Sequence, residues 1–225
     1  MYYSNFTNSQ CHNSVMHEHV SVKQQGCARR TANSVFTELH RALGDEYRFR
    51  CVLVGSGKKG TVIRDAKGNF DLDYQLILTH NSKVFAERGR FDPTETKQRF
   101  MGEIQKILKS SRLEDSTTAI TLNDEDSDFS IDFVIIDGTD DEKWKIIRRN
   151  NKNSKNEYTW NEMPYAKGCS EYYSSLEDQE RSELSKRIID AKTKDKMLPE
   201  NKRTGSYILT IQAIKEHRDK HGHKG

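Results

Sequence analysis

The chain has 225 residues, 33% apolar and 32% charged, and its 37 basic and 34 acidic residues leave a net charge of +3. That balance excludes the strongly charged disordered class, and the length suits one sizeable domain with an appendage, able to bury roughly 70% of its unfolded surface. No run approaches the ~18 consecutive apolar residues of a membrane span, and the first ten residues carry neither a basic nor an apolar signal region, so a cytoplasmic protein without membrane contact is expected.

Residues 1–27 show no sustained hydrophobic period and read as a polar N-terminal arm. Cys11, His12, His17, His19 and Cys27 lie in or beside it, but their spacing fits no zinc-ligand pattern. The four cysteines, Cys11, Cys27, Cys51 and Cys169, include no C-x-x-C pair, which points to free thiols in a reducing compartment. From residue 28 the period becomes helical, with Val35, Phe36, Leu39 and Leu43 on one face and Gly44-Asp45 as a stop. Residues 49–54 form an apolar strand broken by the glycines and lysines of 55–60, and residues 71–78 a second strand. Residues 94–110 carry Phe100, Met101, Ile104, Ile107 and Leu108 at helical spacing. Residues 117–122 and 129–136 read as a hairpin around the polar stretch 123–128.

Beyond Gly138 the character changes. Residues 143–156 hold six basic side chains (Lys143, Lys145, Arg148, Arg149, Lys152, Lys155) and no acidic one, and Trp144, Tyr158 and Trp160 lie in or near them. This stretch is either a solvated loop or a nucleic-acid groove with stacking rings. Residues 176–192 and 206–220 are helical. The expected architecture is a mixed α/β (α+β) body, with a small mixed sheet over residues 28–142 flanked by helices. A basic loop and a short helical part follow over 143–225.

The informative stretch is Val52-Leu-Val-Gly-Ser-Gly-Lys-Lys-Gly-Thr61, followed by Asp71-Leu-Asp73. A strand that ends in Gly55-Ser56 and turns sharply can present main-chain N–H groups and a hydroxyl to a phosphate, with Lys58 and Lys59 supplying charge. A Walker loop is excluded, because the Lys required directly before the hydroxyl residue is replaced by Gly60 before Thr61. Asp71 and Asp73, at i and i+2 of a strand, share one face roughly 7 Å apart. Two like charges so placed make sense when a cation joins them. A third acid, Asp132, stands among apolar residues in Ser130-Ile-Asp-Phe-Val-Ile-Ile136, where an unpaired carboxylate is costly. If the two strands are neighbours, three hard oxygen ligands meet beside the phosphate-binding turn. That set suits two divalent ions, Mg²⁺ or Mn²⁺, roughly 4 Å apart for displacement at phosphorus.

The order of these features resembles the DNA polymerase β-like nucleotidyltransferase superfamily: an apolar strand ending in Gly-Ser, Asp-x-Asp on the next strand, and a third acid later. Gly55-Ser56-x-x-Lys59-Gly60-Thr61 is similar to the branch that holds the 2′-5′ oligoadenylate synthetases, cyclic GMP-AMP synthase and the bacterial cGAS/DncV-like enzymes. The resemblance covers about residues 49–137. It implies a metal-dependent nucleotidyltransferase in which Asp71, Asp73 and Asp132 are catalytic and hold the metals. Gly55, Ser56, Lys59 and Thr61 would bind the nucleoside triphosphate. It further implies a helical spine whose Lys and Ser contact the nucleotide, places that Lys192 (or Lys194 or Lys196) and Ser206 could fill. Members of the branch usually continue further at the C-terminus, so the expected cyclising activity is less direct than nucleotidyl transfer itself. The acceptor stays open. A second nucleotide would give a linear or cyclic oligonucleotide, and the alternatives are an RNA 3′ end, a protein side chain, or a module that binds nucleotide or RNA without turnover.

Overall fold

The computed structural model describes residues 18–65, 67–108, 112–123, 127–140, 143–150, 157–163, 168–202, 204 and 206–221. Most of the expected N-terminal arm, with Cys11, His12 and His17, lies outside them, as do Lys152, Lys155 and most of the acidic tip at 124–128.

A mixed seven-stranded sheet forms the body, in the order β1-β2-β5-β4-β3, with β6 paired to β5 and β7 to β6. Its centre is two nine-residue strands, β2 (Phe70–Leu78) and β5 (Phe129–Asp137), which run parallel. β1 (Phe49–Leu53) lies antiparallel to β2, and β4 (Ile120–Asn123) antiparallel to the first half of β5. β3 (Arg112–Asp115) closes that edge as a hairpin with β4. This four-residue strand has too little alternation to be seen in the sequence.

One face of the sheet is sealed by α1 (Gly26–Leu43) and α4 (Pro93–Ile107). Ala28, Ala32, Val35, Phe36, Leu39 and Leu43 recur at helical spacing, and all are buried. Phe36 sets its ring edge-on to Tyr74 and Phe133 at 5.0 and 5.9 Å, which ties α1 to both central strands. Asp92 starts α4 by accepting from the Glu95 N–H at 2.8 Å, with Pro93 in the first turn. Phe100 of α4 packs edge-on against Tyr47 and Phe49. Because this face takes Leu72, Tyr74, Ile131 and Phe133 as core, the alternate residues Asp71, Asp73 and Asp132 emerge on the opposite face.

Two sequence expectations need correction. Residues 18–27 are not a loose arm: Val20 is fully buried, its N–H bonds the Val62 carbonyl at 2.9 Å, and the helix begins at Gly26 rather than 28. Nor is the described part of the basic stretch, residues 143–150, a loop. It supplies β6 (Lys145–Asn150), which pairs with the end of β5 and with β7 (Glu157–Glu162), so the sheet continues past residue 142. Arginine and lysine stems cover apolar surface while their charges stay wet, so a strand can carry this many cations. Two of the three expected stacking rings, Tyr158 and Trp160, are spent on packing. Tyr158 is buried and donates to the Asp115 carboxylate, while half-buried Trp160 donates its indole N–H to the Phe91 carbonyl at 2.9 Å.

The C-terminal part is helical, with α5 (Cys169–Ser175), α6 (Asp178–Lys196) and α7 (Ser206–His221). It has a small core of its own made of Cys169, Tyr172, Tyr173, Leu176, Leu184, Ile188 and Ile214. Among the described residues no helix is long and apolar enough to cross a membrane.

Candidate active site

After β1 the chain enters a five-residue helix, α2 (Gly55–Lys59), through Val54, whose N–H bonds the Asp73 carbonyl at 2.9 Å. Gly55 has φ +58°, and a Cβ there would stand 2.6 Å from Asp73 Oδ2. Only glycine allows both this backbone and the close approach of the turn to the carboxylate. Gly57 lets the short helix lie on the sheet, since a Cβ would meet Leu53 at 2.9 Å and Leu72 at 3.0 Å. Gly60 ends the helix in the left-handed conformation (φ +67°), and the Thr61 N–H returns to the Ser56 carbonyl at 3.0 Å.

Asp73 and Asp132 are direct partners across the parallel β2–β5 pair, with Asp71 two residues up the same strand. The three carboxylates affect one another as this placement requires. Burial, reinforced by the charges of Asp132 and Asp71, pushes the Asp73 carboxyl up to about 6, against the pull of Lys192 and Lys59. Burial also raises Asp71 and Asp132, the latter held back chiefly by a hydrogen bond from Thr121.

From the other side α6 delivers Lys192. Its ammonium is buried and donates to Ser56 Oγ at 2.8 Å, with the Thr61 carbonyl at 3.3 Å and Thr61 Oγ1 at 3.4 Å. Burial and the neighbouring charge of Lys59 depress it to about 8, while Asp73 and Asp71 oppose the shift. Of the three lysines considered, Lys192 is the one whose ammonium donates to the Gly-Ser turn. Lys59 is close enough to act on Asp73, but its ammonium stands 5.9 Å over the Tyr173 ring. Ser206 is exposed at the start of α7, and no hydrogen bond among the described residues joins it to the Ser56 cluster.

Sequence reasoning missed three supports. Tyr173 bonds the Lys59 carbonyl at 3.0 Å and Ser185 Oγ at 2.7 Å, seating α5 and α6 on the glycine-rich turn. Ser130 lies directly across from Asp71 in the β2–β5 register and helps hold its carboxyl down, and Thr121 donates to Asp132 Oδ1 at 2.6 Å. Hydroxyl residues in strands are too common to signal these roles.

The donor set fits a hard divalent cation: carboxylate oxygens only, like-charged, part-buried, on one sheet face. Among the described residues no three His, Cys, Asp or Glu side chains come close enough together to hold an ion.

The fold that brings together this parallel pair with its facing acids, the Gly-Ser turn and the lysine of a following helix is similar to that of solved CD-NTase structures. The Bradyrhizobium diazoefficiens CD-NTase CdnG, solved with GTP, superposes with a TM-score of 0.60 at 12% identity, covering 91% of this chain and 69% of that one. The STING-associated CdnE c-di-GMP synthase of Capnocytophaga granulosa gives 0.58 at 20% identity, covering 92% and 64%. Escherichia coli DncV, in a 3′-deoxy GTP-bound form, gives 0.58 at 14% identity, covering 92% and 65%. The chain therefore spans about two thirds of the length of these structures. No protein-family model and no curated sequence matches it.

Proposed function

We propose that the chain is a metal-dependent nucleotidyltransferase that moves a nucleoside monophosphate from a nucleoside triphosphate to an acceptor hydroxyl, building a linear or cyclic oligonucleotide without a template. The observation that carries this reading is the pairing of Asp73 with Asp132 across parallel strands, directly beneath a Gly55-Ser56 turn to which Lys192 is anchored. The neighbours point the same way, since CdnG was solved with GTP and the Capnocytophaga CdnE is a c-di-GMP synthase.

In this reading Ser56 and the amides of its turn grip the β- and γ-phosphates, and Lys192 sets the Ser56 hydroxyl and adds positive charge. Thr61 holds the turn closed. Asp71, Asp73 and Asp132 would hold Mg²⁺ or Mn²⁺, which when bound neutralises the triphosphate and the charge that develops as pyrophosphate leaves. Asp132, on the strand beyond Asp73, orients the attacking hydroxyl. Most of the acceleration then comes from alignment and fixed charge.

The test is incubation of the purified chain with labelled ATP, GTP, CTP or UTP and Mg²⁺ or Mn²⁺. New phosphatase-resistant products that vanish in Asp73→Asn are expected. Label only on added RNA would move the acceptor to a 3′ end, and label on protein would make it a side chain. Tight triphosphate binding with no product would overturn the enzyme reading.

A further inference from the structure

Asp132 has a different neighbour on each side of its strand. Asp73 faces it from β2, and Thr121 faces it from β4 in the antiparallel pairing. Directly opposed side chains of adjacent strands lie on one face within contact distance, and the Thr121 hydroxyl uses this to donate to Asp132 Oδ1 at 2.6 Å. A hydroxyl has one proton, so Thr121 must accept in its other contact, to Ser116 Oγ at 2.9 Å. The direction is then fixed as Ser116 to Thr121 to Asp132, and the relay ends on a carboxylate oxygen. Among the described residues that carboxylate makes no second hydrogen bond, which leaves Oδ2 for another ligand.

The relay starts from a turn held on several sides. Ser116 N–H bonds the Ala119 carbonyl at 3.1 Å, and the same carbonyl accepts from the buried Lys97 ammonium of α4 at 2.8 Å. From β6 the Arg149 N–H reaches the Thr117 carbonyl at 2.7 Å. None of this needs a hydroxyl at 121 for the strand itself, because valine has the same branching and is at least as good in a sheet.

We infer that Thr121 is a positioning residue for the divalent-cation site, fixing the Asp132 carboxylate through the Ser116–Thr121 relay so that its second oxygen is presented beside Asp73. The inference rests on the nucleotidyltransferase reading of the three acids.

The test is Mn²⁺ alone, titrated into the full chain and followed by electron paramagnetic resonance of the free ion. Thermal midpoints in EDTA serve as the measure of folding. Thr121→Val should bind Mn²⁺ about tenfold more weakly, the usual scale for removing a partner that orients a ligand, with its EDTA midpoint near that of the parent. Thr121→Ser restores the hydroxyl and should bind within about twofold of the parent. Parent-like Mn²⁺ affinity in Thr121→Val, with binding still lost in Asp73→Asn, would overturn the positioning role and leave the acidic site standing. Equal weakening in the valine and serine variants would also overturn it, since the hydroxyl would then not matter. A parent chain that binds no Mn²⁺, or binds it unchanged in Asp73→Asn, would overturn both readings together.

Discussion

At Gly55 two independent constraints fall on one residue: a φ of +58° and an approach of 2.6 Å between any added Cβ and Asp73 Oδ2. Gly60 has the first without the second, because its φ is +67° but nothing lies within 4 Å of a built Cβ. Both alanine variants should therefore lose about 1–3 kcal/mol of stability from backbone strain. Only Gly55→Ala should also lose turnover, by about 100-fold, as expected when a reacting geometry is displaced by an ångström. Parallel denaturation curves and rate measurements on the two variants separate strain from displacement. Asp73→Asn tests the charge itself, since the volume is kept while one of three repelling carboxylates is removed. Turnover should vanish, and in EDTA the thermal midpoint should rise rather than fall.

Besides β3, the sequence hid the antiparallel pair β6–β7, which braces the turn between β3 and β4. Arg149 lies 3.6 Å from Asp115 Oδ2, and the Tyr158 hydroxyl donates to the same oxygen. Lys97, from α4, stands 3.4 Å from Asp115 Oδ1 at 2% side-chain exposure. A cation this deeply buried is tolerated only with its partners in place. Removing it leaves the Asp115 carboxylate without its buried counter-charge and takes a donor from the Ala119 carbonyl, so Lys97→Met should cost about 3 kcal/mol. Urea unfolding of the variant measures that loss, and an unchanged midpoint would mean that Lys97 contributes nothing net. Part of the basic run that the sequence left open as a solvated loop or a nucleic-acid groove is therefore internal wiring. Arg149 serves the fold, while Arg148, its neighbour, is exposed.

Across the whole molecule the site works against stability. Asp73 is raised from its usual 3.8 to about 6. Between those values the folded chain binds more protons than the unfolded one, so without metal stability should fall as pH rises through about 4 to 6, by about 3 kcal/mol over the whole titration. Asp71 and Asp132 are raised as well and act in the same direction. Lys192, lowered from 10.5 to about 8, binds fewer protons folded than unfolded, so its contribution improves as pH rises from about 8 towards 10.5. Chemical denaturation at pH 4.5 and 7 in EDTA, and again with Mn²⁺, measures the first slope. The ion should flatten it by neutralising the carboxylates, and the same slope with Mn²⁺ would separate the acids from the metal.

What the sequence by itself determined was local: the Gly-Ser turn after an apolar strand, the Asp-x-Asp alternation that puts two acids opposite Leu72 and Tyr74, and the amphipathic period of α1. These follow from side-chain spacing within a few residues, which chain geometry converts directly into a face. Only the tertiary structure decided that β5 lies beside β2 in the register that sets Asp132 against Asp73, and that Lys192 reaches Ser56 from 136 residues away. It also decided that Tyr158 and Trp160 turn inward. Such placements depend on which surfaces bury one another after the chain closes long loops, and no spacing along the chain records that choice.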